Sequence, residues 1–347
     1  MKKTMRIMSE TPLNAETPTA NLQSWITSNE VFFKRNQEIF MSAPVPLESW
    51  RLSIAGLVNN RIELTFADLL AMAKVEVANT LECSGNGRSL LQDKSAGNPW
   101  TIGGVGNAIW GGVRLSEVLA RAGVAEEARH VSFEGLDNPL AAGTMKFIRS
   151  IPIDKARDST ILAYEMNGEP LPFEHGFPLR ALALGWTGAN CVKWLSKIAL
   201  LKDPATGYFM DNVYRIFQKG EQPETGNIVT SIPLKSIITS PEHGAILDGG
   251  TVVVRGAAYG GEADIAGIEV SIDDGATWHD AHFIGPHERY AWRRWEYSWG
   301  TEKPGEYTVM ARAIDVHGKV QPLSAEWNVL GYGNNGSREH AISVTVR

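Results

Sequence analysis

Cysteine is nearly absent from this 347-residue chain, which contains only Cys83 and Cys191. Two cysteines make no disulfide framework. Without a CxxC or CxxCH there is neither the spacing of a structural zinc site nor that of covalently attached haem. Positive charge is not in excess either. A net charge of −6 and a pI near 5.8 argue against nucleic acid or an anionic membrane as partner, while leaving room for one basic cleft that takes a small anion. No apolar run reaches the roughly 18 residues of a membrane span; the stretch from Leu179 to Trp186 is short and contains Arg180. The first ten residues, MKKTMRIMSE, carry lysines but no apolar segment after them and no twin arginine. A cytoplasmic location is therefore expected, or a periplasmic one if an export signal has been removed. Walker and nucleophile-elbow patterns are missing, and Gly103-Gly-Val-Gly106 is too short for a dinucleotide fingerprint. His279 and His282 flank a hairpin, where their spacing does not converge on a metal.

What is present reads as two domains of ordinary globular composition. Residues 1–45 are polar and rich in Pro, Asn and Thr, and read as an extended arm. From Trp50 to about Leu201, strand-like and helix-like pieces alternate without the βαβ rhythm of a doubly wound sheet. Thr65 opens a helical pattern over Phe66 to Met72, and Leu115 to Ala122 repeats it with Gly123 as its stop. The expected class is α+β. A polar, Pro- and Gly-containing stretch over 216–232 marks the boundary, giving domains 1–225 and 226–347. Beyond it lie strand-like segments at 251–256, 268–272, 307–313 and 341–346, and a hairpin turn at Asp273-Asp-Gly275. They suggest an immunoglobulin-like β-sandwich.

The chemistry centres on Cys83. Val75 to Cys83 looks like a strand, and Ser84-Gly-Asn-Gly-Arg88 breaks it sharply. A cysteine leaving a strand into a glycine turn can aim its sulfur into a cleft, and Arg88 would favour the thiolate. On these grounds alone Cys83 fits a transition-metal ligand, a buried structural cysteine or a redox nucleophile. Cys191, between Gly188 and Trp194, reads as a small buried residue.

Thr80-Leu-Glu-Cys-Ser-Gly-Asn-Gly-Arg88 resembles the metal-ligand motif of the sulfite oxidase family. Blocks at Trp100–Arg114, His130–Asp137, Ile161–Pro172, His175–Arg180 and Val192–Leu195 follow in family order. The β-rich tail resembles the family's dimerisation domain. The resemblance implies a molybdenum centre held by the dithiolene of molybdopterin, with Cys83 as the metal's protein ligand. It implies that His175, Arg180, Lys193 and the backbone of Cys191 and Val192 hold the phosphate and pterin edge, that Asp137 accepts from the pterin, and that Phe33, Lys34, Arg35, Asn36 and Gln37 complete the cofactor block. Arg35 and Arg88 correspond to substrate arginines and Trp100 to an aromatic residue beside them. Arg289, Arg293 or Arg294 is a loose candidate for a third cation, with a solvated strand face as the alternative.

The resemblance implies oxidation of sulfite, a small dianion suited to a guanidinium-lined pocket. With no haem pattern in the chain, electrons would pass to an external acceptor such as a cytochrome or to oxygen, and a homodimer is implied. Two departures stand out. Gln37 replaces a common His, and Phe147 replaces a Tyr, keeping the ring and losing the hydroxyl. They motivate the alternative of a molybdenum-dependent S-oxide or N-oxide reductase. A non-enzymatic alternative is an immunoglobulin-like interaction protein without cofactor.

Overall fold

The computed structural model describes residues 4–37, 39–41, 43–139, 145–301 and 303–347; the first three residues of the basic N-terminus lie outside them. The first unit is built on two sheets, each of five strands. One runs Ile148–Pro152, His130–Gly135, Leu195–Leu201, Leu52–Gly56, Ile62–Leu64, with a parallel pair between Leu195–Leu201 and Leu52–Gly56. The other runs Glu169–Pro170, Thr160–Met166, Val105–Arg114, Val75–Glu82, with Arg180–Ala183 also pairing to Thr160–Met166. Strands dominate, and the helices are few and short, so the α+β expectation overstates the helical part.

The helices sit where the sequence places them. Thr65 closes a capping box with Asp68 at the start of Phe66–Leu70. Leu115–Ala122 buries Leu115, Val118, Leu119 and Ala122 on one stripe and stops at Gly123. No helix among the described residues is long and apolar enough to cross a membrane.

The second unit has two sheets facing one apolar core. Lys235–Ser240, Gly250–Tyr259, Arg293–Thr301 and His282–Ile284 form one sheet. Ala245–Leu247, Ile342–Val346, Gly305–Asp315, Ile265–Ser271 and His279–Asp280 form the other. Val254, Trp295 and Trp299 from the first meet Val270, Val309 and Val344 from the second. The turn at Asp273-Asp-Gly275 forms as expected, with Asp274 and Gly275 at positive φ.

The N-terminal segment departs from the expected arm. Arg6–Glu10 and Leu13–Glu16 form a hairpin, and Thr19–Gln23 is a short 3-10 helix. Leu22, fully buried, shares a third core with Val105 of the first unit and with Ile237, Ala257 and Trp292 of the second. The segment is a strap across both units, so its few apolar residues count for more than its polar composition suggests.

Candidate molybdenum–pterin site

Strand Val75–Glu82 pairs along its length with Val105–Arg114, and this pairing delivers Cys83 to the end of the sheet. The Cys83 amide donates to Gly104 O at 2.8 Å, while its sulfur makes no hydrogen bond among the described residues. The following turn needs Gly87 at φ +83. Gly85 serves differently: a Cβ there would lie 2.4 Å from the Arg88 guanidinium.

Behind Cys83 the second unit braces the turn. Lys235 Nζ donates to Glu82 Oε1 at 2.6 Å, Asn86 Nδ2 donates to the same oxygen at 2.9 Å and Tyr259 OH at 3.0 Å. Glu82 and Lys235 are both buried.

Cys83 lines a concave cleft that opens to solvent, the kind of place where cofactors and small molecules bind. Phe33, Arg35, Asn36, Gln37, Cys83, Asp137, His175, Arg180, Cys191 and Lys193 line it together. Residues from distant parts of the sequence thus line one cleft.

Arg180 leaves strand Arg180–Ala183 and donates through Nη1 to His175 O at 3.0 Å and through Nη2 to Cys191 O at 3.2 Å. Its guanidinium lies 5.1 Å from the Trp110 ring centre. Lys193 Nζ donates to Glu174 O at 2.9 Å and to Asn36 Oδ1. Gly176 at φ +112 leaves room for Lys193, whose Cβ would lie 2.9 Å from a Cβ at that glycine.

Electrostatics shows what the cleft is built to receive. Burial, then Arg180 and Lys193 beside it, pushes His175 well below its ordinary value, so its imidazole is neutral. Burial lowers Arg180 to about 10, which leaves it cationic. Burial, reinforced by Arg180, lowers Lys193 to about 7. Burial raises Asp137 to about 6. His175 Nε2 and Arg180 Nε are buried without a hydrogen-bond partner among the described residues. Unpaired buried polar nitrogens are costly, and here they line a cleft already rich in cations. A phosphate-bearing, acceptor-rich ligand would satisfy them. The residues therefore fit a molybdenum–pterin group: Cys83 could ligate the metal as a thiolate, and His175, Arg180 and Lys193 could hold the phosphate and pterin edge.

Lys193 yields a pH prediction. Its folded value of about 7 lies below the roughly 10.4 of an unfolded lysine. Between these values the unfolded chain holds a proton that the folded chain lacks, so this residue makes the cofactor-free protein more stable as pH rises through that window. An anion that restores the ammonium reverses this. Sulfate binding to the cofactor-free protein at pH 8 is expected to take up a proton, detected as a calorimetric heat that varies with the buffer's ionisation enthalpy. A buffer-independent heat would contradict it.

Four expected site residues lie outside the cleft lining. Arg88 is the main correction. It turns away, donating through Nε to Leu330 O and through Nη1 to Asn98 O, both at 2.8 Å. Gly85 and Gly97 make space for its guanidinium. Trp100 is fully buried and meets Phe33 edge-on at 6.1 Å, supporting the wall rather than touching its contents. Lys34 pairs by backbone with Ala15, and Val192 is buried with its carbonyl accepting from Ala181. The suggested third cation is also corrected. Arg294 is buried against Leu22 O and Thr239, Arg293 stacks on Phe283 and Arg289 on Tyr290; none lines the cleft. Tyr214, which sequence patterns did not single out, does line it beside Phe147.

Comparisons with known proteins agree with this geometry. Residues 41–209 match the family model described as oxidoreductase molybdopterin binding domain, and residues 226–345 match the Mo-co oxidoreductase dimerisation domain. Mitochondrial sulfite oxidase of Mus musculus is 35% identical over 99% of this chain, which spans 66% of that relative's length. Sulfite oxidase of Gallus gallus is 36% identical over 94% of this chain and 75% of the relative. The crystal structure of the sulfane dehydrogenase SoxCD from Paracoccus pantotrophus superposes with a TM-score of 0.82 at 28% identity, covering 96% of this chain and 87% of that one. Sequence, fold and cleft agree, and the chain belongs to the sulfite oxidase family of molybdopterin-binding oxidoreductases.

Proposed function

We propose that this chain oxidises sulfite to sulfate: sulfite and water give sulfate, two electrons and two protons. The observation that carries the reading is the cleft itself, where Cys83 shares one cavity with His175 and Arg180, whose Nε2 and Nε nitrogens have no hydrogen-bond partner among the described residues. When bound, the molybdenum–pterin group supplies a two-electron centre for oxygen-atom transfer.

The protein's residues bind and orient. Cys83 is the metal's protein ligand. His175, Arg180 and Lys193 hold the phosphate and pterin edge, and Asp137, Asn36 and the backbone of Cys191 and Val192 complete the cradle. Arg35 is the substrate cation. Its Nη1 is tied to Asn14 Oδ1 at 3.3 Å and to Asn36 O, while Nη2 makes no bond among the described residues and is available to an anion. Electrons leave singly to an external acceptor such as a small cytochrome.

The second unit we read as an immunoglobulin-like sandwich beginning near residue 226 that pairs two copies of the chain. The order 235–240, 250–259, 293–301, 282–284 on one sheet and 342–346, 305–315, 265–271 on the other supports this.

A second reading, reduction of an S-oxide or N-oxide, is favoured by the neutral aromatic wall of Phe147 and Tyr214. Metal-loaded protein is expected to reduce ferricyanide in a sulfite-dependent manner. Absence of sulfite turnover, together with oxidation of a reduced viologen by an S-oxide or N-oxide, would sink the first reading in favour of the second.

A further inference from the structure

The hairpin of Arg6–Glu10 and Leu13–Glu16 does more than strap the two units together. Its second strand lies beside Lys34, with Ala15 and Lys34 exchanging both backbone hydrogen bonds at 2.9 Å. That register brings Asn14 against Arg35 and Asn36, which both line the cleft. Asn14 is only 3% exposed.

Every polar group of the Asn14 side chain is used. Nδ2 donates to Ser9 Oγ at 2.9 Å and to Pro12 O at 3.1 Å. Because Pro12 O can only accept, the amide has one orientation. Oδ1 then accepts from the Asn36 amide at 2.8 Å and from Arg35 Nη1 at 3.3 Å. Arg35 Nη1 also donates to Asn36 O. The guanidinium is thus tied by one nitrogen to two acceptors, and both are neutral. A carboxylate in place of the Asn14 amide would fix the side chain and cancel its charge. A neutral amide fixes it and leaves the charge to an anion in the cleft. An arginine held in place beforehand also loses less rotamer freedom when a ligand arrives.

The hairpin is anchored independently of Asn14. Glu16, 2% exposed, accepts from Thr101 Oγ1 at 3.1 and 3.0 Å and from Arg6 Nη1 at 3.0 Å. The Thr17 amide donates to Gly103 O at 2.9 Å. These bonds keep the strand docked when the Asn14 side chain is changed.

We propose that Asn14 is a positioning residue for the substrate cation: a buried neutral amide on the N-terminal hairpin that presets Arg35 for a small oxyanion without neutralising it. This role rests on the reading of Arg35 as the cation that meets the substrate.

The test uses the molybdenum-loaded holoenzyme. Asn14→Ala removes the anchor. Asn14→Asp keeps an acceptor for the Asn36 amide and sets a negative charge beside Arg35. Each should raise KM for sulfite at least about 10-fold, the scale of one hydrogen bond to a charged group, with kcat within about twofold of wild type. Affinity for sulfate, measured by calorimetry, should fall by the same factor, and molybdenum content should be unchanged. In an Arg35→Met background, Asn14→Ala should add less than about twofold, because the group it acts through is gone. A merely structural role would lower kcat and molybdenum content together, and its effect would persist in the Arg35→Met background. That pattern, or a wild-type KM in either variant, overturns the assignment, while sulfite turnover by the wild type leaves the proposed function standing. If the wild type binds sulfate without oxidising sulfite, the proposed function falls, and weaker sulfate binding in both variants still supports the role of Asn14. A wild type that neither oxidises sulfite nor binds sulfate overturns both.

Discussion

Cys83→Ser is expected to abolish turnover while the protein still folds and still binds the pterin. Serine keeps the shape of cysteine with one smaller atom, and the Cys83 backbone bond to Gly104 is independent of the side chain. The fold should therefore survive, with at most the roughly 1–3 kcal/mol of a buried hydroxyl that finds no partner. Chemically the change is large. A soft thiolate becomes a hard, protonated oxygen that suits molybdenum poorly and no longer donates charge to it. Losing an outer-shell partner typically costs about 10–100-fold in activity, so loss of the protein's own metal ligand should exceed that. His175, Arg180 and Lys193 still line the cleft, where the proposed reading has them hold the pterin. Steady-state rates, fluorescence of the released pterin and a melting curve check the three parts separately. A variant that turns over normally would refute the ligand assignment.

Lys235→Met should destabilise the chain by about 3–5 kcal/mol, because it leaves the Glu82 carboxylate buried without its cation. Glu82 is 2% and Lys235 0% exposed, so solvent cannot compensate. Asn86 and Tyr259 still donate to the same oxygen, but they are neutral. The pair joins the strand that ends at Cys83 to the first strand of the second unit, so its loss should loosen the docking of that unit onto the metal-ligand turn. Replacing both partners by apolar residues, as Glu82→Leu with Lys235→Met, removes the stranded charge and should recover much of the stability. Urea unfolding of the single and double variants measures the coupling. If the single variant costs no more than a surface substitution, the bracing role is wrong.

These expectations show which parts of the molecule were legible in the sequence. The helix Leu115–Ala122 has an apolar stripe of period near 3.6 and a glycine stop, and both are local signals. The Cys83 turn and the His175–Arg180 segment were likewise readable, because glycine and proline constrain the chain where those side chains leave it. The direction of Arg88 was not. A glycine-rich turn tells that the backbone bends but not that Gly85 and Gly97 are vacated to house a guanidinium. The strap was hidden because Leu22 is a lone apolar residue in polar sequence with no period, and its partners Ile237 and Trp292 are more than two hundred residues away. Tyr214 was hidden for a similar reason, since only the fold brings it to the cleft wall beside Phe147.

The central claim is that Cys83 supplies a thiolate to a molybdenum–pterin centre in this cleft. X-ray absorption at the molybdenum edge tests it most directly, on protein produced in a host that makes the pterin. The account predicts about one molybdenum per chain with two dithiolene sulfurs and one further thiolate sulfur, and loss of that last sulfur alone in Cys83→Ser. Identical sulfur coordination in wild type and Cys83→Ser, or wild-type protein without molybdenum, would contradict it.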